Sequence, residues 1–240
     1  MEERREQFRD YVEACNERDL IIGQGNILAD ILFVGCEPSE IVPGQREHTD
    51  SCLNETNGNT IDVLWRTRDK KEMGGEGATW NKYQKIIDRI YHPERTHTGN
   101  VLDFEEKAFC TELNKDCKKH SKDADKSTLP QKLQLFKESS FIQSFPVVIL
   151  ACGPDYIVNH GDKLQINETF GVICTEEVQV IKDATTRPQR YWVHYDNMLD
   201  PHKLVIHTRQ LSGGSRPCDE LLWSIGRIVR MFLSSIENLK

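Results

Sequence analysis

The chain has 240 residues and a formal charge of −7, with 31 Lys and Arg against 38 Asp and Glu. Its pI near 5.7 excludes a uniformly basic nucleic-acid-binding domain, for which a pI above about 9 is usual. No run approaches the ~18 consecutive apolar residues of a membrane-spanning helix, and the start Met1-Glu2-Glu3-Arg4-Arg5 has no apolar signal segment.

Taken in chain order, Glu3 to Arg18 reads as an amphipathic helix, with Phe8, Tyr11, Val12 and Cys15 on one face. Ile31-Leu32-Phe33-Val34-Gly35 reads as a strand buried on both faces. Residues 36–78 form a long polar, Gly/Asn-rich loop insertion, and loops of that length inside a compact domain are usually functional or disordered. Thr79 N-caps a predicted helix from Trp80 to about Tyr91, which Pro93 ends. Residues 107–113 are a second strand candidate. Thr128-Leu129-Pro130 opens a helix predicted to run to about Gln143. Phe145 to Ala151 is the clearest buried strand, and Asp155 to His160 reads as a helical turn. Residues 170–181 and 190–196 alternate like an antiparallel hairpin. Lys203 to Ile206 is a further short strand, and Pro217 to Leu239 a long helix with Leu221, Leu222, Ile225, Ile228, Val229 and Phe232 on one side.

Short apolar strands separated by helices predict an α/β fold. We expect a single domain over 1–240: a three-layer αβα arrangement around a central four-stranded, mostly parallel sheet, plus a small antiparallel hairpin near 170–196. In such folds the ligand site lies at the carboxyl ends of the strands. That rule selects the loops after Val34, Leu113, Leu150 and Ile206.

The eight cysteines include no C-x-x-C pair, so they read as reduced thiols of a cytoplasmic protein, and no metal or cofactor is expected. Charge is spread unevenly. Residues 185–240 hold eight Lys and Arg against five Asp and Glu, a balance of +3 that leaves −10 for the rest.

The first selected loop reads Gly35-Cys36-Glu37-Pro38-Ser39. Gly permits a sharp turn close to a ligand, and Pro stiffens it, so Glu37 is a carboxylate held on a rigid turn. The last reads His207-Thr208-Arg209-Gln210-Leu211-Ser212-Gly213-Gly214, where His207 is the side chain closest to neutrality and Arg209 and Arg216 flank a Gly pair suited to phosphate. After the second strand, Asn114 offers an amide with a paired donor and acceptor, the chemistry that reads a nucleobase edge. Trp80 and Tyr83 offer flat faces for stacking. Each of these, taken singly, is also what an ordinary turn, a structural His or a core aromatic looks like.

In order, these segments resemble the uracil-DNA glycosylase superfamily over about residues 28–236. The apolar strand into Gly35-Cys36-Glu37-Pro38, the second strand near Asn114, the FPVVILACG strand and the His207-led motif before a long helix carry the resemblance. It implies that Glu37 handles the attacking water and that His207 donates to the departing base. Asn114, or with a slipped register Glu112, would read the base. Gly35, Cys36, Pro38 and either Trp80 or Tyr83 would line the pocket. Leu211 would wedge into the duplex as the base flips, with Ser212, Arg209 and Arg216 on phosphates. Departures are Thr208 and Arg209 within the His motif and Ser39-Glu40 after Pro38. Two functions follow. One is a hydrolase releasing uracil or another deaminated base from DNA. The other is a catalytically inactive member binding a nucleobase, nucleotide or protein. Either is expected to be monomeric, without a membrane, with weak DNA binding through residues 203–216.

Overall fold

The computed structural model describes residues 1–36, 64–65, 79–94, 102–116, 124–160, 163–181, 187–211 and 217–237. Helix α1 (Glu2–Glu17) is followed by strands β1 (Gln24–Asn26), β2 (Ile31–Gly35) and β3 (Leu64–Trp65). Helix α2 (Thr79–Tyr91) and the short α3 (Phe104–Lys107) precede β4 (Ala108–Glu112). Helices α4 (Leu129–Glu138) and α5 (Ser140–Gln143) precede β5 (Val147–Ala151). The small pair β6 (Asn159–His160) and β7 (Lys163–Leu164) leads into helix α6 (Gln165–Phe170). Strands β8 (Ile173–Val180), β9 (Gln189–Tyr195) and β10 (Leu204–Thr208) follow, then helix α7 (Asp219–Glu237).

The fold is mixed α/β. Among the described residues its main sheet has eight strands in the order β3-β1-β4-β2-β5-β10-β9-β8, rather than the four expected. The strands β4, β2, β5 and β10 are parallel neighbours at its centre. The outer strands are antiparallel. The 170–196 hairpin is not a separate element. Strand β9 pairs with β10 over five residues and so satisfies the backbone of what would otherwise be an open edge. On the other side, Gln24-Gly25-Asn26 has no apolar alternation to announce a strand. It pairs because Gly23 and Gly25 adopt φ of +118° and +107°, and a Cβ at either would overlap a carbonyl of Cys110 or Ala108. Two further expectations are corrected. The helix from Leu129 breaks at Ser139, whose Oγ accepts from Ile142 N at 3.3 Å and caps α5. The segment after Asp155 makes only a short turn before β6 pairs with β7.

Strand alternation sends side chains to two cores. Leu32, Val34, Val148, Leu150 and Val205 meet α1, α4, α5 and α6 on one face. Ile31, Phe33, Val147, Ile149, Leu204 and Ile206 meet α2 and α7 on the other. Arg4 ties α1 to the amino ends of the strands. Its guanidinium donates to the carbonyls of Ile27 (3.0 Å), Ser144 (3.0 Å) and Ala29 (3.1 Å) and lies 4.2 Å from the Phe145 ring centre. Burial lowers its pKa to about 10, against the attraction of Asp30. Arg4→Met strands three carbonyls. The expected loss is about 3 kcal/mol, seen as a lower urea midpoint at unchanged slope.

Candidate functional site

The parallel register brings the ends of the central strands level. Gly35 of β2 lies opposite Glu112 of β4, Val34 opposite Leu150 of β5, and Leu150 opposite His207 of β10. The segments beyond the strands are bonded in series. Leu113 N donates to Gly35 O (3.1 Å), Asn114 N to Cys36 O (2.9 Å), the Cys36 thiol to Cys152 O (3.2 Å), and Gly153 N to Thr208 O (3.0 Å). One carboxyl edge therefore holds Cys36, Glu112, Asn114, Cys152 and His207. Asn114 and His207 stand three strand spacings apart, about 14 Å at the backbone.

Alternation splits this edge into two clusters. His207 follows Val205 onto the first core's face, where it shares the edge with Cys36 and Cys152. Thr128, just before α4, donates its hydroxyl to Asn114 Oδ1 at 3.4 Å. Glu112 follows Cys110 onto the second core's face, beside Gly35. A Cβ at Gly35 would overlap the Glu112 carboxylate, so glycine there makes room for that carboxylate. Burial, then the nearby Glu112 charge, pushes the Tyr83 phenol and the Cys152 thiol upward in pKa.

Asn114 is buried. Its Oδ1 accepts from Lys115 N (3.0 Å) and Thr128 Oγ1 (3.4 Å), while Nδ2 has no partner among the described residues. The amide is therefore oriented, with its donor end unspent.

His207 is 4% exposed and lies 5.5 Å from the Trp192 ring centre. Burial lowers its pKa to about 4, a hydrogen bond to the Gly153 backbone opposes the shift, and neighbouring His194 adds to it. Nε2 has no partner among the described residues. A neutral imidazole has one donor and one acceptor nitrogen, so the ring can serve either role toward a ligand. The Thr208 hydroxyl, also buried, has no partner among the described residues.

The other expected residues divide as follows. Gly35 ends β2, and Cys36 is buried against the loop after β5. Tyr83 is buried and stacked on Phe33 at 4.2 Å, and Trp80 is stacked on Phe104 at 5.4 Å, so a face of each ring is occupied by the core. Leu211 is wholly buried in the second core, packed with the α2 and α7 residues instead of projecting as a wedge. Arg209 is exposed. Lys203 sits at the opposite, amino end of β10 and gives its ammonium to Gln143 O (2.6 Å) and Oε1 (3.1 Å), so it does not serve this edge. Glu37, Pro38, Ser212 and Arg216 lie outside the described residues. No motif in the sequence marks His194, and Thr208 stands out there only as a departure from the His motif. The signal was period-two alternation, which puts Trp192 and His194 on one face of β9, opposite Val205 and His207.

No group of three His, Cys, Asp or Glu able to hold a metal ion occurs among the described residues, nor any helix long and apolar enough to cross a membrane. No family model matches the sequence, and no curated protein matches it.

The neutral His207 has a consequence for stability. Unfolded, it binds a proton below the ordinary His pKa near 6.5, and folded it does so only near 4. Stability therefore falls as pH drops through that window, by about 3 kcal/mol for this one group. Denaturant melts from pH 7 to pH 4 are expected to show a smaller loss in His207→Gln. The same loss in both proteins would overturn the assignment.

Proposed function

We propose that this chain is a base-releasing N-glycosidic hydrolase of the uracil-DNA glycosylase type. One observation carries the proposal. At the carboxyl edge of four parallel strands, the Asn114 amide and the His207 imidazole are buried, oriented by backbone, and each has one hydrogen-bonding position without a partner among the described residues. Buried polar groups are normally paired, and each exception calls for an explanation. A heterocycle with a carbonyl toward Asn114 and an N–H or water toward His207 supplies both partners.

N-glycosidic cleavage leaves negative charge on the base and positive character on the sugar. Asn114 is the donor that stabilises the base anion. His207 Nε2 accepts from the attacking water or from a base N–H. A carboxylate balances the sugar, and Glu37 and Glu112 are the candidates. Glu112 is supported by its place against Gly35 at this edge. The αβα core, with helices on both faces of the central parallel strands, agrees with this type of enzyme.

A second reading has its own observation. The burial of Leu211 leaves the duplex without a wedge from that residue, which favours binding of a free base or nucleotide without excision. Base release from uracil-, hypoxanthine- and xanthine-containing oligonucleotides separates the two. Asn114→Ala is expected to lower the rate by about 10²-fold or more. Activity is expected to be level from pH 6 to 8, because His207 already carries no proton there. A rate that climbs on acidification would reassign His207 as a proton donor. Saturable binding of free base that Asn114→Ala abolishes, without release from any substrate, would replace the hydrolase with the binding module. Neither release nor binding would overturn both.

A further inference from the structure

A second polar feature lies on the outer surface of the second helix layer, away from the carboxyl edge. Helices α2 and α7 run side by side in the same direction, since Lys85 at the middle of α2 pairs with Asp219 at the start of α7 at 2.7 Å and Arg89 meets Gly226 further along both. Their closest approach is at Gly226, where a Cβ would come within 2.7 Å of Arg89 Cβ and 3.0 Å of Ile86 O. Beyond that contact the helices border an open groove of about 560 Å³, lined by Arg89, Arg227, Arg230, Met231, Ser234 and Ser235.

Three guanidiniums and no carboxylate line this groove, on a chain whose net charge is −7. Among the described residues none of the three is in an ion pair, although Lys85, Arg18, Lys115 and Arg190 each have one. Arg89 is held in place, its stem against Gly226 and its Nη1 donating to Pro93 O at 2.8 Å. Arg227 and Arg230 are exposed and one turn apart on α7. Arginine stays charged at every physiological pH, so the cluster repels itself until an anion enters. Its planar donor forks match phosphate oxygens. A charge of +3 exceeds what a carboxylate neutralises and suits a diphosphate. Met231, 67% exposed, and Trp223, half-exposed one turn before Arg227, supply apolar and aromatic surface beside the charges.

We propose that this groove binds the diphosphate group of a small organic molecule, with Arg89, Arg227 and Arg230 holding the phosphates and the Met231 and Trp223 side of α7 meeting the organic part. This does not rest on the glycosidic reading, since none of these residues belongs to the carboxyl edge.

Calorimetric titration of the whole chain with inorganic pyrophosphate, a nucleoside diphosphate and a single-stranded oligonucleotide tests it. The expected result is saturable one-to-one binding of pyrophosphate, tighter for the nucleoside diphosphate and weakened by salt. Arg227→Gln and Arg230→Gln are each expected to cost about tenfold in affinity or more. Lys137→Gln removes an equal charge from the exposed face of α4, in the other helix layer, and is expected to leave affinity unchanged. Circular dichroism melts confirm that these exposed substitutions leave the fold intact. Absence of saturable pyrophosphate binding, or an equal loss in Lys137→Gln, overturns the proposal. Oligonucleotide binding that is tighter than the diphosphates and lost with the same arginines would replace it with a nucleic-acid contact.

Discussion

The residues of β2, β5 and β10 are shut off from water on both faces, and those of β4 nearly so. Their backbone N–H and C=O groups have no partner except the adjoining strand, and leaving them unpaired would cost more than any side-chain contact recovers. The strands must therefore pair over nearly their full length. Because they are all five residues long and paired in parallel register, they end at nearly the same level. Both the division into two cores and the gathering of polar groups at one edge follow from that register. A slip of one residue in β10 would turn His207 to the other face and take Val205 out of the first core.

Burial also decides which polar groups at the edge are charged. His207 and His194 are held neutral chiefly by the loss of water, with the His194 Nδ1 lying 3.2 Å from Val205 O. Asn114 has no charge to lose. Ionised groups inside the molecule are tied up elsewhere. Arg4 spends its donors on three carbonyls at the amino ends. The Lys132 ammonium, whose pKa burial depresses, donates to the Tyr11 hydroxyl (2.9 Å) and to Ile21 O and lies 5.0 Å from the Phe136 ring centre. Among the described residues the edge is consequently a place of neutral donors and acceptors, with the Glu112 carboxylate on its other side. A polar heterocycle is the ligand proposed for this set. Phosphate chemistry has its counterpart on the outer faces of α2 and α7, where water keeps the arginines charged.

Much of the framework was legible because period and composition agree with burial. Phe8, Tyr11, Val12 and Cys15 recur at helical spacing and are all buried in α1. The runs ILFVG and VVILA are apolar throughout because both their faces are covered. Elements without such a pattern were missed. Strand β1 has an intermediate-buried-intermediate profile over Gln24-Gly25-Asn26 and depends on glycine backbone geometry, not on apolar side chains. The edge strand β8 has mostly exposed residues, and nothing in its own sequence states that its partner β9 will also pair with β10. At the site, Asn114 and His207 could be chosen from their positions after strands. The burial of Leu211 could not, since a leucine after a polar turn reads equally as a surface or a core residue.

The sequence by itself therefore determined which segments are helix and central strand, and that the polar ends of those strands hold an Asn, a Glu and a His. These are local properties, set by side-chain period and by the few residues bordering each apolar run. Only the tertiary structure decided that the sheet has eight strands among the described residues, that His207 Nε2 is buried without a partner among them, that Glu112 and His207 occupy opposite faces of one edge, and that three arginines from two helices share a groove. Each of these depends on which backbone or side chain arrives from a distant part of the chain, and on how much water it displaces when it does.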